Sequence, residues 1–154
     1  MYDDEVIVPY YVDKNLAGDD GIMTHVAKHL SGRSVVVELR TPSTKNASGT
    51  FTRTEGIGHI QIEPKLTHDD TLYVFCHEVA HCLLHWQSIR ATERHLAAPR
   101  TCENESEKYP NHQAEEIEAD DQANKWLEYA RSWMAPDGDD YLTEALEVLI
   151  TYGG

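Results

Sequence analysis

One stretch constrains this chain more than any other: "CHEVAHCLLH", Cys76 to His85, sets three histidines and a glutamate into an otherwise apolar run. Val79, Ala80, Leu83 and Leu84 mark a helix that packs against a core, and a buried imidazole or carboxylate there needs a partner. Either the chain has built a costly polar core, or an ion is bound. His77 and His81 are four apart, so they stack on one helix face about 6 Å apart along the axis, within reach of one metal at about 2.0–2.1 Å. Glu78 is rotated by about 100° from His77, beside such an ion and outside its shell. Two ligands and a general base on a helix is the chemistry of His-Glu-x-x-His.

That motif is short. With the His and Glu content of this chain, a match somewhere arises by chance on the order of five times in a hundred, so the metal needs further ligands to be credible. His85 is a poor one. It lies eight residues beyond His77, roughly 12 Å along the same helix, and three collinear imidazoles cannot close a tetrahedron. Its ordinary reading is a histidine hydrogen-bonded near the helix end. The metzincin arrangement places its third histidine six residues after the second, and here that position holds Gln87.

"EEIEADDQANKW" offers the missing ligand. Glu116 and Asp120 lie one turn apart on a second helix, and Ala119 between them lets two helices approach closely. Glu116 would complete a two-His, one-Glu set that leaves a fourth position open. Asp120 would accept the other ring N–H of a ligating histidine, the orientation that metal-bound imidazoles need. Runs of acids are usually solvated helix faces, but here Ile117, Ala119 and Ala123 interleave with them.

The remaining sequence bounds the setting. At 154 residues the chain is long enough for a single domain, 1–154, with its own core. A net charge of −14 and the lack of a Lys/Arg cluster argue against nucleic-acid binding, and the acidity reads chiefly as solubility. No apolar run approaches a membrane span, and the opening "MYDDEVIVPYY" is acidic where a secretion signal is basic. Cys76 and Cys82 are roughly 9 Å apart along one helix, too far to bridge, and an odd cysteine count suits a reduced, cytoplasmic protein.

Pattern and punctuation predict an order of elements. "EVIVPYYV" reads as a strand, followed by a helix over 21–30 capped by Asp20 and ended by "SGR". "SVVVELR" is a buried strand. "TFTRTEGIGHIQIEP" alternates as an extended stretch, with Ile57, His59 and Gln61 on one side and Ile60 and Ile62 on the other. Thr67 starts a helix over 69–89 by accepting from the backbone near Asp70, with Leu72, Phe75, Val79 and Trp86 at helical spacing. After a long polar loop come a helix over 113–133 and a last one in "YLTEALEVLITY". The expected fold is a small α+β domain, a short, mostly antiparallel sheet packed on the His-Glu-x-x-His helix and a second, ligand-bearing helix.

His77-Glu78-x-x-His81 followed about 35 residues later by Glu116-x-x-Ala119-Asp120 resembles the gluzincin pattern of zinc peptidases. "HEVAHCLLH" with "EIEADDQANKW" is most similar to the ImmA/IrrE-type metallopeptidases, often found in phages and mobile elements. The resemblance covers 34–135, specific at the two motifs and vague elsewhere. It departs in the long loop between the motifs, and in Asp120 where the family usually has Asn. It implies a zincin-like fold, one Zn2+ per chain on His77, His81 and Glu116, and zinc-activated water with Glu78 as general base, cleaving a protein substrate such as a regulatory or repressor protein. "GIGHIQI" is then the expected edge along which an extended substrate lies. Tyr109 and His112, with His95 and Tyr129 behind them, are candidate oxyanion donors, each more ordinarily a plain loop or core residue. Cys102 would make a good zinc cap but is more ordinarily a loop thiol. The alternative is a non-catalytic zinc-containing regulatory or binding module. Glu78 speaks against it, because a purely structural site gains nothing from an unliganded carboxylate.

Overall fold

A computed structural model describes residues 14–42, 47–87, 112–133 and 141–151. The opening strand expected in "EVIVPYYV" lies outside these residues. A 3-10 turn, Lys14–Leu16, leads into helix α1, Ile22–Ser31, which buries Met23, Val26, Ala27 and Leu30. The N-cap of α1 is Gly21 with no side-chain cap, not Asp20. Asp20 instead belongs to the turn closed by Gly21 N–H donating to Gly18 O.

Strands β1 (Val35–Leu39), β2 (Gly49–Thr54) and β3 (Ile57–Ile62) form a sheet in the order β1-β3-β2. The extended stretch anticipated over 50–64 is therefore a hairpin. Glu55 and Gly56 make its two-residue turn with φ 53° and 82°, the left-handed pair that matches the twist of the flanking strands. β3 returns antiparallel to β2 (Phe51 opposite Ile60) and fills the place beside β1, to which it runs parallel (Val37 opposite Ile60). The sheet is mixed rather than mostly antiparallel, because the chain crosses from β1 to the far edge before the hairpin turns it back. The sidedness of β3 is as the alternation suggests: Ile60 and Ile62 are buried, and Ile57 is exposed.

Helix α2, His68–Leu84, starts where Thr67 Oγ1 accepts from Asp70 N–H at 3.1 Å. It ends earlier than the spacing predicts. His85 is its C-cap, and Trp86 has left the helix to pack on Phe51, ring centroids 6.0 Å apart, under the guanidinium of Arg33. Arg53 Nε donates to Trp86 O at 2.6 Å and fixes that exit.

α2 packs on β2, β3, α1, α3 (His112–Ser132) and α4 (Tyr141–Ile150). The fold is a small α+β arrangement around one buried cluster, running from Val35, Val37 and Ile60 through Met23, Phe75 and Val79 to Trp126 and Leu146. Each such side chain contributes about 1.5–3 kcal/mol on burial. That anchoring holds the polar face of α2 in place. Ala119 and Ala123 of α3 are fully buried, as are Cys76 and Ala80 of α2, small residues at a close helix pair. No helix among the described residues is long and apolar enough to cross a membrane.

Candidate metal centre

Four-residue spacing puts Tyr73, His77, His81 and His85 in one column along α2. The rings of His77 and His81 meet edge-on, centroids 4.8 Å apart. Their Nε2 atoms converge on one carboxylate from α3: Glu116 Oε1 lies 3.0 Å from His77 Nε2, and Oε2 lies 2.9 Å from His81 Nε2. All three ligand atoms fall within 4.8 Å of one another, so His77, His81 and Glu116 could hold a metal ion. Two donors on one tetrahedral ion, each about 2.0–2.1 Å from it, stand roughly 3.3 Å apart. The two nitrogen–oxygen separations need only a slight opening to admit zinc, and two imidazoles with a carboxylate are a donor set that zinc favours.

The second nitrogen of each histidine is also engaged. His77 Nδ1 lies 3.0 Å from Asp120 Oδ1, one turn beyond Glu116, and the same oxygen accepts from the Tyr73 hydroxyl. His81 Nδ1 lies 2.9 Å from His85 Nδ1, and His85 Nε2 lies 2.8 Å from Glu118 Oε1. The arrangement answers the cost of burial: His81 is 3% exposed, and every ring nitrogen of the three histidines meets a partner.

Electrostatics follow from the crowd of carboxylates. Burial draws the pKa of His77 down. The hydrogen bond and charge of Glu116, together with Glu78 and Asp120, outweigh it and push the pKa up to about 9. Tyr73 is shifted well above an ordinary phenol by burial and by its bond to Asp120, so it is a donor at neutral pH. Burial likewise pushes Cys76 up to about 12 and Cys82 up to about 11, and both are free thiols. Neither is a nucleophile near neutral pH.

A cleft of about 360 Å³ opens beside His77 and Glu116. Glu78, 7% exposed, forms part of its wall with Tyr73, Val74, Ile117 and Gly49. Gly49 is required by space: an added Cβ would stand 2.4 Å from Val74 Cγ1 and 3.1 Å from Glu78 Cγ. Ile117 faces this opening at 55% exposure and not the core.

The two motifs thus meet in space. The strand "GIGHIQI" does not serve as an edge, because β3 is paired on both sides. Among the described residues it is β2 that has a free side and whose first residue lines the cleft. Tyr109, His95 and Cys102 lie outside the described residues. His112 opens α3, and its side chain is likewise outside them. Tyr129 is more than three turns along α3 from Glu116, its ring beside Trp133, and it is no oxyanion donor for this cleft. The sequence pattern alone does not mark Tyr73, Gly49 or the pairing of His85 with Glu118 as parts of the site. The repeat Tyr73, His77, His81, His85 at intervals of four is the signal that could have found two of them. Comparison with protein-family models, with curated proteins and with solved structures gives no match.

Proposed function

We propose that the chain is a zinc-dependent endopeptidase of the ImmA/IrrE type, acting on a protein substrate such as a regulatory or repressor protein in the cytoplasm. The observation that carries this reading is the convergence of His77 Nε2, His81 Nε2 and both Glu116 oxygens beside a cleft walled by Glu78. A closed structural zinc site has no use for an open cleft or an adjacent spare carboxylate.

Zinc bound there would supply Lewis acidity, lowering the pKa of a water toward 7 and polarising the scissile carbonyl. Glu78 takes the proton from the attacking water and returns it to the leaving amine, a transfer that its place in the cleft wall suits. Asp120 accepts from His77 Nδ1–H, which fixes the ring's tautomer and aims Nε2 at Glu116. Tyr73 lines the cleft and is protonated at neutral pH. It offers a hydroxyl donor for developing negative charge if its bond to Asp120 is exchanged. The free side of β2, whose first residue Gly49 lines the cleft, suits an extended peptide laid backbone to backbone.

The test is cleavage of a proteome-derived peptide library by the zinc-loaded chain, with new termini read by mass spectrometry. Wild type should produce a reproducible set of cuts that vanishes in Glu78→Gln and on chelation. Identical termini from wild type and Glu78→Gln would contradict catalysis and favour the non-catalytic zinc module.

A further inference from the structure

The two histidines that converge on Glu116 are supported differently. His77 is backed by a carboxylate, Asp120, at 3.0 Å. His81 is backed by another imidazole, and that imidazole by a carboxylate at 2.8 Å. We infer that His85 and Glu118 form a positioning relay that fixes the tautomer and tilt of His81, so that its Nε2 faces the metal. The inference rests on the zinc reading of the same site and extends it to two residues that hold no metal themselves.

Hydrogen-bond direction carries the case. A histidine that offers Nε2 to a metal keeps its one proton on Nδ1. That proton must find an acceptor, because His81 is 3% exposed and water cannot reach it freely. The atom at 2.9 Å is His85 Nδ1, which accepts only when its lone pair is free and the proton of His85 sits on Nε2. His85 Nε2 then donates to Glu118 Oε1 at 2.8 Å, and a carboxylate only accepts. Every donor and acceptor in the row Glu118, His85, His81 has a single consistent direction, ending with a lone pair on His81 Nε2.

The fold builds this row deliberately. α2 stops at Leu84, so His85 takes the C-cap with φ −123° and ψ 33°. Its N–H still donates to His81 O at 2.8 Å, which ties the two residues through backbone as well as side chain. Glu118 comes from α3, two residues and about 200° round the helix from Glu116, so α3 contributes both the carboxylate at His81 Nε2 and the one at His85 Nε2. The distance objection to His85 as a ligand stands: its Nδ1 faces the back of His81, away from the side that meets Glu116.

The experiment is the affinity of the full chain for Zn2+, measured by competition with a chromophoric chelator at fixed pH. His85→Ala should bind about 10–100-fold more weakly than wild type. His85→Gln should recover most of that loss, since its amide oxygen accepts and its amide N–H donates along the same row. Glu118→Ala, at a largely exposed position that folding tolerates, should weaken binding in wild type yet add nothing in the His85→Ala background. Nitrogen-15 shifts of His81 in the zinc-loaded chain should report the Nδ1–H form in wild type and His85→Gln.

Zinc affinity unchanged in His85→Ala, with wild type binding normally, would overturn the relay and leave the zinc site intact. A loss as large as that of His81→Ala with no rescue by Gln would also overturn it, making His85 a ligand. Failure of wild type to bind zinc would overturn the underlying reading as well.

Discussion

Gly49→Ala should destabilise this chain, and the sign of the effect is what tests the close packing at the cleft. Gly49 has no left-handed backbone to preserve, so Ala is conformationally allowed there. Through the unfolded state alone, that substitution should stabilise by about 0.4–1 kcal/mol. Against it stands the new Cβ, 2.4 Å from Val74 Cγ1 and 3.1 Å from Glu78 Cγ, where ordinary contacts begin near 3.4 Å. Val74 is β-branched and held on α2, so it has little rotamer freedom with which to retreat. Overpacking of this kind costs about 1–3 kcal/mol, which outweighs the entropy gain. A net loss of about 1–2 kcal/mol should appear in urea unfolding of the metal-free chain, or roughly 2–4 °C in Tm per kcal/mol for a chain of this size. Val74→Ala should relieve the overlap, so the double variant should be more stable than the sum of the single changes predicts. A stabilised Gly49→Ala, or strict additivity with Val74→Ala, would mean that Gly49 is not closely packed against Val74.

Three further outcomes are expected. In the metal-free chain the folded pKa of His77, about 9, lies above the unfolded value of 6.5; its contribution, of the order of 2 kcal/mol after solvent screening, is whole below pH 6.5 and fades as pH rises through 9. Urea midpoints in chelator at about pH 6 and about pH 9.5 should show that loss in wild type and not in His77→Gln. Tyr73→Phe removes the donor to Asp120 and should weaken Zn2+ binding a few-fold at most, read by chelator competition, whereas Asp120→Ala should cost about 10–100-fold. Thr67→Ala removes the α2 cap and should cost about 1 kcal/mol in urea unfolding with zinc affinity unchanged.

The site was more legible in the sequence than the sheet, for physical reasons. Ligand spacing is a property of one helix, so His77 and His81 declare their shared face locally, and the small residues Ala119 and Ala123 mark α3 as a helix that comes close. Strand order is not written in alternation. The turn at Glu55–Gly56 interrupts the pattern so briefly that β2 and β3 read as one stretch, and Glu at a left-handed position disguised it. The end of α2 was hidden because Trp86 keeps helical spacing while Phe51, Arg33 and Arg53 draw it off the helix. His85 is hydrogen-bonded at the end of α2, as its position suggests, but its partner on the far side, Glu118 of α3, is not legible from one helix.

Elemental mass spectrometry of untagged protein decides whether His77, His81 and Glu116 bind zinc. One zinc per chain is expected in wild type, largely lost in both His81→Ala and Glu116→Ala. Wild type without metal after zinc is supplied, or Glu116→Ala with its zinc retained, would contradict that ligand set.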